Sequence, residues 1–178
     1  VLARIGEAMG YRVVVVDPRE TETTRTATRH LRVRPGGDVY LLLALAAVIV
    51  RDGLADRAFV TGHTVGYEAL RAELAAVDVA TMATRAGLTV EEIVETARGF
   101  ATAESAAVFF DLGVEQTPFS TLISYLIRVL CVLTDNLGRT GGCMFLESFL
   151  PTMQDPARVR EPERALASGI PAIRALGN

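Results

Sequence analysis

Apolar residues along this chain fall into short continuous runs and longer stretches with helical spacing. Val13 to Val16 is a continuous β-branched run. It predicts a strand over Arg12–Val16, of the parallel kind that is buried on both faces. Asp17-Pro18 ends it, because proline lacks a ladder donor and favours a turn. Leu31–Val33 predicts a short second strand, and Ala106–Phe110 a further buried one. Helical spacing places Leu2, Ile5 and Met9 on one face, so Val1–Met9 reads as the end of a helix stopped by Gly10. The stretch Val39–Arg51 is apolar nearly all round, which predicts a well-buried helix. Further helices are predicted over Asp56–Gly62, Tyr67–Ala76, Val90–Ala101 and Ser120–Leu133. The third of these is opened by Thr89 and Glu92 at capping-box spacing.

Polar and glycine-rich stretches punctuate these elements. Glu20 to Thr28 reads as a loop with a short helix in it, Pro35-Gly36-Gly37 as a tight turn, and Leu112 to Gln116 as a loop. Asn136 to Gly142 is a glycine-rich turn. After Met144 the pattern fades: Pro151, Pro156, Pro162 and Pro171 interrupt an irregular tail with one helix, about Glu163–Ser168. Strands alternating with helices define an α/β class with a parallel sheet. Two or three strands are too few for a complete doubly wound domain, so the expected architecture is a partial, Rossmann-like sheet with flanking helices. Residues 1–145 form its α/β region, and residues 146–178 a tail or the start of the next segment. The chain opens on Val1 without an initiator methionine, in keeping with a piece of a longer protein.

Composition narrows the class further. Half of the 178 residues are apolar and the formal net charge is -3. That charge gives no basic footprint for nucleic acid. The longest apolar run, Val39 to Val50, is too short to cross a bilayer, which takes about 20 residues, so direct membrane insertion is not expected. Two cysteines, Cys131 and Cys143, cannot supply the four ligands of an iron–sulfur cluster or a structural zinc site. Cys131 lies in an apolar helical run and reads as a small core residue.

Three positions offer chemistry. Asp17 stands at the carboxyl end of a parallel strand, where open α/β sheets bind nucleotides. It is either a turn residue before proline or a ligand for a ribose diol. A nicotinamide site is disfavoured, because Gly6 and Gly10 do not make the Gly-x-Gly-x-x-Gly pattern. Asp38 follows Gly36-Gly37 at the head of the apolar helix, where it is either an N-cap or a base-reading carboxylate. Glycines let a ligand approach the backbone, and a carboxylate accepts two parallel hydrogen bonds, matching the N1–H and amine edge of guanine. Gln116 lies past the strand expected over Ala106–Phe110, as a solvated loop residue or a donor and acceptor toward a polar ring. His30 and His63 lack carboxylate or cysteine company and read as surface or hydrogen-bonded residues rather than ligands.

The order of these motifs is more specific than any one of them. Asp17-Pro18-Arg19-Glu20-Thr21, then Arg34-Pro35-Gly36-Gly37-Asp38, the apolar helix, Leu112-Gly113-Val114-Glu115-Gln116, and Asn136-Leu137-Gly138-Arg139-Thr140-Gly141-Gly142 follow one another. This series resembles the molybdopterin oxidoreductase family, of the dimethyl-sulfoxide-reductase and formate-dehydrogenase type, from about Val1 to Phe145. The family usually has Thr-Gly-Asn-x-Gly-Arg-Pro-Gly-Gly near the end; here Asp135 stands for its first glycine and Thr140 for its proline. The resemblance implies a region of a catalytic subunit holding one guanine-dinucleotide arm of a bis-molybdopterin guanine dinucleotide cofactor of molybdenum or tungsten. It implies that Asp17, Pro18, Arg19, Glu20 and Thr21 line the guanosine site and that Gly36, Gly37 and Asp38 complete it. Leu112, Gly113 and Gln116 would approach the pterin. It further implies a small-molecule substrate, electron-transfer subunits as partners, an iron–sulfur cluster in a part amino-terminal to this chain, and a cytoplasmic or periplasmic prokaryotic-type enzyme. No residue of this chain is assigned as catalytic or metal-ligating. The alternative is a homologue that keeps the fold without the cofactor, such as the large iron–sulfur subunit of respiratory complex I. Intact Asp17, Asp38 and Gln116 favour the enzyme.

Overall fold

The computed structural model describes Gly6 and residues 9–143. Two units divide the chain, Val1–Met144 and Phe145–Asn178, and all described residues lie in the first. Nearly all of the expected helix Val1–Met9, and all of Glu163–Ser168, lie outside the described residues. The elements in order are β1 (Val14–Val16), α1 (Glu22–Arg25), β2 (Arg29–Leu31), α2 (Asp38–Arg51), α3 (Arg57–His63), α4 (Tyr67–Ala75), α5 (Val79–Ala86), α6 (Val90–Ala101), α7 (Leu112–Glu115) and α8 (Ser120–Leu133).

Helix α2 is the centre of the core. Leucine and alanine fill Leu41 to Ala47, both good helix formers, and Val39, Leu41 and every residue from Ala44 to Ile49 are buried. Helices α4, α5, α6 and α8 all pack on it, which is why no polar face survives between its ends. Its carboxyl end is tied down electrostatically. Asp52, just past the helix, accepts from Arg51 at 2.9 Å and from both Nε and a terminal nitrogen of Arg98 on α6, at 2.9 and 2.7 Å. Those hydrogen bonds, Arg51's first, hold the Asp52 carboxyl below its ordinary value. A second apolar cluster forms where Val39 meets Ile123, Leu126 and Ile127 of α8, with Val108, Phe110 and Val114 against it.

Local signals set the helix boundaries. Thr89 Oγ1 accepts from Glu92 N–H at 3.2 Å while Glu92 Oε2 accepts from Thr89 N–H at 2.8 Å, the expected capping box of α6. Asp56 caps α3 through Phe59 N–H at 2.8 Å. Helix α5 is additional to the expected elements. Its signals are Asp78 ahead of it, accepting from Ala80 N–H, the Val79, Ala83, Ala86 stripe, and Gly87 in the left-handed region after it.

The sheet departs most from expectation. β1 and β2 pair in parallel with Val14 opposite Arg29 and Val16 opposite Leu31, so the second strand lies two residues earlier than Leu31–Val33. β1 is not buried on both faces: Val14 is 37% and Val16 40% exposed. Among the described residues it has one neighbour strand and no covering layer on its outer face. The segment Ala106–Phe110 is extended but is not a strand. Its amides go to side chains instead of a ladder, Ala106 N–H to Asn136 Oδ1 at 2.9 Å and Val108 N–H to Cys143 Sγ at 3.2 Å, and Phe109 is 81% exposed.

The turn after α8 is built on Asn136, which is only 2% exposed. Its side-chain amide donates to Thr134 O and Oγ1 at 3.2 and 2.9 Å, and its Oδ1 takes the Ala106 N–H. The preceding residue, Asp135, has φ 51°, the left-handed conformation that costs a side-chain-bearing residue energy and glycine little. That is the position at which the resembling family carries glycine.

A contrast in stability follows from this arrangement. Ile49→Ala, in the middle of α2, should destabilise the 178-residue chain by about 2–5 kcal/mol, whereas Val14→Ala on the open face of β1 should cost under about 1 kcal/mol. Urea unfolding midpoints measure both, and equal losses would contradict a core centred on α2.

Candidate functional site

Parallel pairing brings the ends of β1 and β2 to one edge of the sheet. The last ladder bond runs from Asp17 N–H to Leu31 O at 3.2 Å. Beyond it the chain folds over Pro18: Asp17 Oδ1 accepts from Arg19 N–H at 2.7 Å, the short local bond that favours aspartate ahead of a turn. Two side chains from β2 and its continuation hold this turn from the other strand. His30 Nε2 lies 2.8 Å from Asp17 O, and Arg32 Nε donates to Pro18 O at 3.3 Å. His30 is thus a hydrogen-bonded residue, as its lack of ligand company suggests. The role of Arg32 carries no sequence signal; it emerges only from the register of the two strands.

The rest of the first motif is largely committed to structure. Thr21 caps α1, with Thr24 N–H on its hydroxyl at 3.3 Å and its own N–H on Thr24 Oγ1 at 2.8 Å. Glu20 pairs with Arg25 at 3.1 Å. Pro18 and Arg19 are exposed at the edge.

The second motif arrives at the same edge. Arg34 N–H donates to Ala86 O at 2.8 Å and Gly37 N–H to Arg34 O at 2.7 Å, closing the Pro35-Gly36 turn. The two glycines are needed for different reasons. Gly36 has φ 74°, and the space where a Cβ would stand is open. Gly37 has ordinary helical angles, but a Cβ there would sit 2.9 Å from Arg34 O, 3.0 Å from a Val33 methyl and 3.2 Å from the Ala86 Cα. The expectation that Asp38 is the N-cap is corrected: Gly37 holds that position and Asp38 is the first residue of α2. The helical angles of Gly37 start the helix one residue early, so the Asp38 side chain cannot fold back over the first turn. Its carboxylate leans on its own backbone N–H and takes no other hydrogen bond among the described residues. Burial, and after it the nearby charge of Asp17, push its carboxyl above the ordinary value, against that backbone bond.

The third motif is a single helical turn rather than a loop. Asp111 caps α7 by accepting from Leu112 N–H at 2.8 Å, and Gln116 N–H returns to Leu112 O at 3.1 Å. Val114 packs against the cluster that Val39, the residue after Asp38, forms with Ile123, Leu126 and Ile127, and α7 packs on α8. Leu112, Gly113 and Gln116 are exposed on it. Among the described residues, no group of three or more His, Cys, Asp or Glu side chains gathers as a metal site, and no helix is long and apolar enough to cross a membrane.

An α/β unit with a carboxylate at the end of one parallel strand, and a Pro-Gly-Gly turn leading from the next into a helix, is built like a nucleotide-binding edge. No protein-family model matches the chain. It is 34% identical over 130 residues to formate dehydrogenase H of Escherichia coli, which covers 73% of this chain and 18% of that protein. It is 32% identical over 132 residues to the alpha subunit of F420-dependent formate dehydrogenase 2 of Methanococcus maripaludis, covering 74% and 20%. Its fold matches acetylene hydratase from Pelobacter acetylenicus with a TM-score of 0.74 at 24% identity, over 78% of this chain and 19% of that one. The chain belongs to the molybdopterin oxidoreductase family, of the dimethyl-sulfoxide-reductase type. It spans about a fifth of the length of the relatives it matches.

The raised Asp38 carboxyl sets a pH-dependent expectation. Its folded value lies above the ordinary 3.8, so the stability that goes with the neutral form is fully present below the unfolded value and is lost as pH rises through the folded one. Asp38→Asn should therefore melt higher than the parent at pH 7, and the difference should vanish at pH 3. A gain that is absent at pH 7, or equal at both pH values, would contradict the burial described for this carboxyl.

Proposed function

We propose that this segment holds a guanine-dinucleotide arm of a bis-molybdopterin guanine dinucleotide cofactor, carrying molybdenum or tungsten, in the catalytic subunit of an oxidoreductase. The observation that carries the reading is the Asp38 carboxylate. It is half-buried, has no other partner among the described residues, and stands next to a turn kept open by Gly36. Such a group destabilises the empty protein and gains most from a ligand that supplies two N–H donors, as guanine does and adenine does not. The residues fit the nucleotide in other respects. Asp17 has one oxygen occupied by Arg19 N–H, leaving the other for a ribose hydroxyl, and His30 and Arg32 hold the turn that presents it. Gly36 lets the nucleotide approach the backbone. Leu112, Gly113 and Gln116, exposed on the turn that packs on α8, extend the surface toward the pterin.

When bound, the cofactor supplies a metal that cycles between oxidation states as a small substrate is oxidised or reduced. The residues of this chain bind and orient it, and none is assigned a proton transfer or a metal ligand. Formate is the substrate the two relatives suggest. An iron–sulfur cluster and electron-transfer subunits belong to parts of the protein outside this chain.

Asp38→Ala, in the full-length protein, should weaken guanosine diphosphate binding by at least tenfold to a hundredfold, the equivalent of losing one of the two hydrogen bonds at roughly 1.5–3 kcal/mol. Adenosine diphosphate binding should change little, while Asp17→Ala should weaken both nucleotides. Titration calorimetry reads all four combinations, and an equal effect of Asp38→Ala on the two bases would remove its assignment. The 178-residue chain by itself should show no dye-linked formate oxidation or nitrate reduction; turnover with stoichiometric molybdenum would place the whole site within it and refute the assignment of only one arm.

A further inference from the structure

The two cysteines take no part in the nucleotide edge, yet the fold brings them together. Cys131 is buried on α8, Cys143 closes the glycine-rich turn and is partly exposed, and both are free thiols. Their sulfurs lie 3.0 Å apart, with the Cys131 thiol donating to Cys143. The approach is set by backbone, not by chance rotamers. Asn136 N–H donates to Cys131 O and Asn136 O accepts from Cys143 N–H, each at 2.7 Å, so one residue clamps the chain at both cysteines. Gly142 permits this, since a Cβ there would stand 2.4 Å from Asn136 O. The Cys143 sulfur also accepts the Val108 N–H at 3.2 Å. The thiol pair therefore joins three segments: α8, the turn, and the extended stretch that leads into α7.

We propose that Cys131 and Cys143 are a reversible redox modification site, a dithiol that an external disulfide converts to an intramolecular disulfide. The more accessible Cys143 thiolate attacks one sulfur of a disulfide such as oxidised glutathione, forming a mixed disulfide and releasing one glutathione thiolate. Cys131, having lost its proton, then attacks the Cys143 sulfur and expels the second. Two cysteine thiols are oxidised, one glutathione disulfide is reduced to two thiols, and the two protons balance. Burial, and then the bond to Cys143, push the Cys131 thiol up, so it is the poorer nucleophile toward an external disulfide and attacks only once Cys143, already in contact with it, carries the glutathione. The product closes a loop between positions 12 apart in sequence and fixes the turn against α8. The site stands independently of the nucleotide reading.

The test uses the full-length protein, equilibrated with graded ratios of oxidised to reduced glutathione, quenched by alkylation and mapped by mass spectrometry. The expected result is a cross-linked peptide pair containing Cys131 and Cys143, reversed by dithiothreitol. Hydrogen exchange at the Val108 and Asn136 amides should slow at least tenfold on oxidation, and the melting temperature should rise by several degrees. Cys143→Ser keeps an oxygen acceptor for the Val108 N–H; it should fold, lose the cross-link, and leave Cys131 without a glutathione adduct. Separate alkylation of both cysteines at every ratio, or a glutathione adduct on Cys143 that persists, would overturn the proposal.

Discussion

Helix α2 is buried along nearly its whole length, and four other helices pack on it. Each of its large apolar side chains contributes roughly 1.5–3 kcal/mol by leaving water, and the buried alanines between them let its neighbours pack close. A helix buried this completely cannot shift along its axis without opening gaps against all its neighbours at once. Its amino end is therefore a fixed point, and Asp38 stands on it. The residue that the proposed function needs most is held in place by the same packing that holds the fold.

The edge around that fixed point combines rigid backbone with one unsettled charge. Asp17 is turned by its bond to Arg19 and held by His30 and Arg32. Gly37 N–H is bonded to Arg34 O, and a Cβ there would press on Arg34, Val33 and Ala86. Against this frame the Asp38 carboxyl is raised by burial and by Asp17. Unfavourable burial of a charge without a partner is common where a ligand completes the site. Two acids at one edge repel each other in the empty protein, and a ligand that brings hydrogen-bond donors to both relieves that repulsion.

Much of this was legible in the sequence. The long helices and the capping box at Thr89 follow from apolar spacing and cap chemistry, which are local. The order of Asp17, Gly36-Gly37-Asp38 and Gln116 pointed to the family without any contact being known. Most of what failed depended on partners distant in sequence. Ala106–Phe110 reads as a strand by composition, but Asn136 and Cys143 take its amides. β1 reads as fully buried, yet the described residues cover it on one side only. Asp38 reads as a cap because its residue type suits one; the helical angles of Gly37 moved the boundary by one position. The packing of Gly37 against Ala86 of α5 could not be read from spacing at all.

The account rests on where the guanine base lies. A structure of the full-length protein purified with its cofactor, at a resolution that orients the base, tests this most directly. The account predicts the Asp38 carboxylate within hydrogen-bond distance of guanine N1 and the exocyclic amine, about 2.7–3.2 Å, with Asp17 at the ribose. A guanine seated elsewhere, with Asp38 facing solvent or another protein side chain, would contradict it.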